Sequence, residues 1–478
     1  GVFVVAASIA YAALEPGLGG DSARYLLVAR NILFNGCVSI SDPQSALCAA
    51  HWGGNQFPGY PAFMAFTGLL AGLKSTANTD AFIIPVIVLQ SVLSGGAAVR
   101  LGWAVKRFSN SSSIGLICVL LAGLSPLHFA WSRWLLTESL SISVAIWVLA
   151  ELILSLHERR LRVVPLAVAL AIGFFLRYDA ITLCAAVVPV AFVIHPPWQA
   201  IWRGMMIALL MTIPIVAWSA RNVAQGLSIY PVPNYGLGHG RGQGYYGWLT
   251  IWVTDLYMGA NAAFPAANRR YSQITLPPQA YLDDQNREVV NELLRRWAQH
   301  DGEEAPDWVD AKFHDLAVER RRRDPLGSWL LFPVRRALYI WLAPAYSYGW
   351  NVELGDRARQ LYGQGNWSGL LDFAFESPGK IVIKMGVALL HLVVLGGFGL
   401  ILFWRRSNQI NAPNLRPIVW AVLAYALTRT VFLALMGQAD PRLSVEVYPF
   451  FEIALVLVLL RQYDSRQVTS LGTGVGRR

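Results

Sequence analysis

Five short motifs carry charged residues where an apolar run ends. Asp21 stands in GGDSARY, Arg133 and Glu138 in WSRWLLTESLS, and Arg177 and Asp179 in FFLRYDAI. Arg221 stands in WSARN, and Asp440, Arg442, Glu446 and Tyr448 in ADPRLSVEVYPF. Arg429 lies inside an apolar run. A charge in such a place is costly unless it is paired or used, so each is a candidate for function. A guanidinium binds a phosphate through two parallel hydrogen bonds. A carboxylate beside it can take a proton from an attacking hydroxyl. Together they suit transfer of a group from a lipid phosphate to an acceptor. Phosphate already leaves well, so the demand falls on the base and on charge stabilisation.

The elements that must position these residues follow from composition. The 478 residues are 55% hydrophobic and only 14% charged, with a mean hydropathy of +0.42. A soluble domain is about 25% charged. Disordered, coiled-coil, collagenous and ordinary cytosolic classes are therefore excluded. Apolar runs near 81–104, 113–131, 137–156, 163–181, 182–195, 204–219, 382–404, 417–436 and 446–460 are read as membrane-spanning helices. Residues 1–14 are apolar but short, and are read as the end of a first helix. They have no charged leader, which argues against a signal peptide. The expectation is an all-α polytopic membrane protein of about ten spans.

Positive charge fixes the sidedness. Arg100, Lys106, Arg107, Arg159, Arg160, Arg162, Arg203, Arg405, Arg406, Arg461 and Arg466 all fall on one side of a ten-span chain. That side is expected to be the cytoplasm. The net charge of +10 is explained in this way, and no compact basic-aromatic module points to nucleic acid. Three regions result: a transmembrane module over 1–219 with a first outer loop at 15–80, a large outer segment at 220–381, and C-terminal spans with a cytoplasmic tail at 382–478. The site motifs, Arg429 apart, then share the outer boundary and are expected to ring one cavity there.

The outer segments have their own pattern. Residues 22–35 predict an amphipathic interfacial helix, and 58–73 a second surface-lying or re-entrant one. The stretch 327–346 is apolar with Pro333, Arg335 and Arg336 at its centre, and is read as interfacial. Cys37 and Cys48 share the first outer loop and predict a disulfide. Cys118 and Cys184 read as buried apolar residues. The spacing of the four cysteines contains no zinc pattern.

The motifs, in order along nearly the whole chain, resemble the GT-C class of membrane glycosyltransferases. The similarity is to the family 39-like branch that holds protein O-mannosyltransferases and the lipid A aminoarabinose transferase. The matching pieces begin with Asp21, Tyr25, Ala29 and Gly36, then FPGYPAFMAF with Tyr60. Ser132 to Leu140, Arg177, Trp218 to Gly226, RDPLGSW and the Arg442–Glu446–Tyr448 ending follow. The resemblance implies a GT-C-like bundle and a polyprenyl-phosphate-linked sugar as donor. It implies inverting transfer to a glycan, lipid or protein hydroxyl, with Asp21 as the catalytic base. Tyr25, Tyr60, Arg133, Glu138, Arg177, Asp179, Arg221, Arg442 and Glu446 become the expected substrate-binding set. A bacterial inner membrane is implied, with the site on the periplasmic face. Two positions depart from the family. Ser22 follows Asp21 where an acidic pair is common, and Phe57 precedes Pro58 where the family has Lys. The donor-phosphate contact then falls to Arg177 or Arg442.

Each residue also has a plainer reading. Asp21 could cap helix 22–35, Glu138 could pair with Arg133, and Arg442 could pair with Glu446. Arg177 could snorkel to the interface, and Arg221 could anchor there. Arg429 reads as paired inside the bundle. Arg320 to Arg323 read as a solvated face or a contact with anionic lipid. Tyr245, Tyr246 and Trp248 could stack on sugar rings. No cofactor requirement is read from the sequence; Asp21 and Glu138 could hold Mg²⁺ or Mn²⁺ through oxygen. A transporter or flippase is the alternative; paired inverted halves, common in that class, are not visible.

Overall fold

A chain this apolar must satisfy its backbone internally, and helices do so within one segment. The computed structural model describes residues 1–14, 16–40, 57–74, 78–226, 243–303, 305–343, 349–352, 365–404 and 415–472, with 229, 357, 358 and 361 between them. The described residues are helical; their only strand-like pairing is one parallel bridge between Gly17 and Trp134. In order the helices are α1 (Val2–Leu14), α2 (Ser22–Asn35), α3 (Gly59–Leu70), α4 (Ile83–Ser109), α5 (Ser112–Leu124) and α6 (Thr137–Glu158). Next come α7 (Val163–Leu176), α8 (Cys184–Ile194) and α9 (Pro197–Ala224). The segment 220–381 holds α10 (Gln243–Trp252), α11 (Leu256–Ala267), α12 (Asp284–Trp297), α13 (Asp307–Arg323), α14 (Phe332–Leu342) and α15 (Trp367–Glu376). The chain closes with α16 (Pro378–Trp404), α17 (Arg416–Leu435) and α18 (Tyr448–Gly472).

Among the described residues, six stretches are long and apolar enough to cross a membrane: Thr79–Ser109, Thr137–Glu158, Pro197–Ala224, Pro378–Phe403, Arg416–Leu435 and Pro441–Leu460. The other four expected spans are apolar helices too, but shorter. At 1.5 Å per residue, a helix such as the 14-residue α7 covers about 20 Å of a roughly 30 Å hydrocarbon core. The stops have local causes. Ser125 precedes Pro126 and turns extended at ψ 128°, since a residue before proline avoids the helical region. Arg177 is extended at φ −154° and ψ 130°, which ends α7 and turns its side chain out of helical register.

Helix α6 runs through the centre, buried over most of its length. Helix α4 packs against it and against α5. The α4–α5 contact is backbone on backbone: a Cβ on Gly102 would sit 2.7 Å from the Gly115 carbonyl oxygen, and the reverse holds. Small residues of this kind let membrane helices approach closely. Helix α2 ends at Gly36, left-handed at φ 66°, and packs on α3. Cys37 is disulfide-bonded, while Cys118 and Cys184 are free; Cys48, its predicted partner, lies outside the described residues.

The outer segment builds a core of its own from Tyr245, Trp248, Trp252, Trp297 and Phe313. Tyr245 and Trp248 are almost fully buried there, so neither ring is available to stack on a sugar. This unit is bolted to the bundle by Arg336. Its buried guanidinium donates to the carbonyls of Val253 (2.6 Å) and Ile251 (2.8 Å), and also to those of Thr250 and Ala434. The acceptors end α10 on one side and α17 on the other, where carbonyls lack helical partners and a cation is favoured. Beside this bolt, Gly437 is left-handed at φ 73°, and a Cβ there would lie 2.5 Å from Thr250. Only glycine lets the turn after α17 pass so close to α10.

Candidate functional site

The first turn of α6 holds Glu138 at a helix N-terminus, where a carboxylate is favoured. The extended Arg177 reaches it: Nη1 lies 2.7 Å from Glu138 Oε1. The same guanidinium faces Asp179 with two nitrogens, each at 3.1 Å, and Glu446 at 3.4 Å. Arg429, fully buried on α17, sits 3.0 Å from Asp179 and 3.0 Å from Glu446. Arg442 pairs with Asp440 at 2.7 Å and approaches Glu138 at 3.7 Å. Four segments distant in sequence thus meet in one ionic network at one end of the bundle.

The network divides into a closed part and an open edge. Arg177 is 11% exposed and Arg429 is not exposed, and both are sandwiched among carboxylates. Arg442 keeps 38% of its side chain exposed. The group contains four carboxylates (Glu138, Asp179, Asp440, Glu446) against three guanidiniums. Asp440 lies in the turn outside the spans and accepts a hydrogen bond from the Arg442 amide. Burial pushes its carboxyl up, against the pull of Arg442.

Asp21 stands apart from these pairs. It occupies the N-cap position of α2, yet its side chain makes no capping hydrogen bond. It is half-buried, and no ion pair or hydrogen bond to its carboxylate occurs among the described residues. The expected cation beside it is therefore not in contact. The Asp21 loop is nonetheless sewn to the approach to α6. Gly17 exchanges backbone hydrogen bonds with Arg133 and Leu135, each 3.0 Å, and Ser22 Oγ donates to the Leu135 carbonyl at 2.9 Å. Leu135 precedes Glu138 by three residues, at most about 10 Å of chain. Asp21 and the network therefore share one end of the molecule.

The remaining expected residues sort clearly. Glu138, Arg177, Asp179, Arg442 and Glu446 come together. Tyr25 packs edge-on against Tyr60, with ring centres 5.3 Å apart. Tyr60 is fully buried and its hydroxyl donates to Gln90 at 3.2 Å, so it supports the site from the core and does not meet a substrate. Arg133 is buried, with its guanidinium over the rings of Tyr11 and Trp134; it does not pair with Glu138. Arg221 lies over Trp218 at 4.6 Å and bonds Asn222, away from the network. Two members were candidates by the cost of their charge but stood outside the expected substrate-binding set. Asp440 follows from its place before Pro441 as a turn cap; Arg429 was read as paired, but its partners lie too far off in sequence to be named.

Among the described residues no group of three or more His, Cys, Asp or Glu side chains could hold a metal ion. Glu138, one of the two expected ligands, already faces Arg177, Arg442 and Thr137. No family model, curated protein or solved structure matches the chain.

Proposed function

We propose that the chain is a membrane glycosyltransferase with a GT-C-like bundle of about ten spans, four of them short. It moves a sugar from a polyprenyl phosphate to an acceptor hydroxyl on the outer face. The observation that carries the reading is a division of labour at one end of the bundle. The carboxylates of Glu138, Asp179 and Glu446 are locked to guanidiniums, while the Asp21 carboxylate is uncommitted and half-buried. A general base needs a free lone pair within reach of its proton. Of the candidates, Asp21 has one.

In this reading Asp21 takes the proton of the acceptor hydroxyl. The oxygen attacks the anomeric carbon from the face opposite the phosphate, the carbon–oxygen bond to phosphate breaks, and configuration inverts. Arg442, with its partly exposed guanidinium, receives the charge developing on the leaving phosphate. Arg177 holds Glu138 beside Arg442, Arg429 holds Asp179 and Glu446, and neither guanidinium contacts the donor. The detergent-purified chain should release polyprenyl phosphate from a polyprenyl-phosphate-linked sugar in the presence of an acceptor. A carrier of such lipids would show no chemistry without a sealed vesicle.

A further inference from the structure

A second basic region lies on the outer segment, remote in sequence from Asp21 and Arg442. A groove of about 430 Å³ is lined by Gln279, Tyr281, Arg320, Arg323, Asp324, Phe332 and Arg335 among others. Arg320 is 97% buried (3% exposed) at its floor. Its two terminal nitrogens donate to the carbonyls of Ala280 (2.6 Å) and Gln279 (2.7 Å), and its Nε has no hydrogen-bond partner. Burial lowers its pKa to about 10, against the pull of Asp324. Arg323 is already paired with Asp283 and Glu319. Arg335 is exposed, and among the described residues its guanidinium faces the Phe332 ring alone, 6.0 Å from the ring centre. Three guanidiniums thus line the groove against the single carboxylate of Asp324, which is occupied in bonding the Gly327 amide.

The helix that carries Arg335 continues the argument. Leu326, Leu330, Val334, Leu338 and Leu342 repeat at every fourth residue and are all 46–59% exposed. They form one apolar stripe. The opposite side of α14, with Phe332, Arg336 and Ile340, is buried. Trp341 Nε1 donates to Thr430 Oγ1 at 2.8 Å, five residues below the outer end of α17, or about 8 Å down its axis. Arg336 meets Ala434 at the end of α17, so the lower part of the stripe, Leu338 and Leu342, descends beside a membrane-crossing helix, while Arg335 stands above it and shares the groove lining with Arg320 and Arg323. Charge above and a bare apolar ladder below match the two halves of a phospholipid.

We infer that this groove and the lower part of the stripe bind an anionic phospholipid of the surrounding bilayer, its phosphate at Arg335 beside the buried Arg320 and an acyl chain along Leu338 and Leu342. The site is independent of the proposed transfer reaction and stands whether or not that reaction is found. It anchors the outer unit at the headgroup level, next to the α14 turn that bears Arg336.

The test is native mass spectrometry of the full purified chain titrated with dioleoylphosphatidylglycerol or dioleoylphosphatidylcholine. The anionic lipid should be retained about tenfold more tightly. Arg335→Gln should remove about that factor, and Arg335→Lys should restore part of it. Leu338→Asn should weaken lipid retention as well. Arg322→Gln, an exposed arginine outside the groove lining, should change retention by less than about twofold. Inorganic phosphate at matching concentration should not displace the lipid. Equal retention of the two lipids, an unchanged Arg335→Gln variant, or full displacement by inorganic phosphate would each overturn the assignment.

Discussion

Arg177 and Glu138, 39 residues apart in sequence, meet at 2.7 Å with both side chains nearly withdrawn from solvent. The pair links the start of α6 to the break between α7 and α8. Arg177 also holds Asp179 and Glu446. Removing it leaves Asp179 and Glu446 to Arg429 and leaves Glu138 with Arg442 at 3.7 Å, and a broken buried ion pair costs about 3–5 kcal/mol. Arg177→Met should therefore lower thermal stability in detergent strongly, and Arg177→Met with Glu138→Leu should recover part of the loss. A melting temperature unchanged in the single variant would contradict the closed network described above.

Arg442 should behave in the opposite way. Its partly exposed pair with Asp440 contributes about 0–1 kcal/mol, as exposed pairs do. Its proposed role is at the leaving phosphate, where loss of one charge-stabilising donor costs about 10² to 10³ in turnover. Arg442→Gln should thus keep its melting temperature within a few degrees and lose most of its kcat. The paired readouts are a thermal melt and a turnover assay; loss of both together would make Arg442 a structural residue.

Arg336 is expected to hold the outer unit on the bundle. It donates to four carbonyls that belong to α10, to the residue just after it and to α17. Arg336→Met keeps the volume and leaves those acceptors buried without a donor, at about 1–3 kcal/mol for each one not re-solvated. Limited proteolysis should then cut within 243–343 faster than in the parent while the helices of the bundle stay protected. A parent-like digestion pattern would remove the bolt from the account.

Much of this was legible in the sequence because hydropathy and charge are local. The apolar runs gave all ten expected spans as helices, though their lengths were over-read at 113–131 and 163–181. There the chain breaks at Ser125–Pro126 and at Arg177, and the second break is what delivers Arg177 to its carboxylates. The costly charges Glu138, Arg177, Asp179, Arg442 and Glu446 were identified for that very cost. Their pairing was not legible, since Arg429 and Asp179 are 250 positions apart. Tyr60, Tyr245 and Trp248 were read by side-chain type alone, and type does not distinguish a ring in a core from a ring in a cleft. Arg336 looked interfacial beside Arg335, because one helix step separates a buried face from an exposed one.

The central claim is that Asp21 is the base of a sugar transfer from polyprenyl phosphate. The direct measurement is polyprenyl phosphate released from a polyprenyl-phosphate-linked sugar by purified parent chain and by Asp21→Asn, with equal melting temperatures verified. The parent should turn over, and the variant should lose a factor of about 10² to 10⁴, the usual contribution of a positioned general base. Turnover by Asp21→Asn at the parental rate would contradict the account.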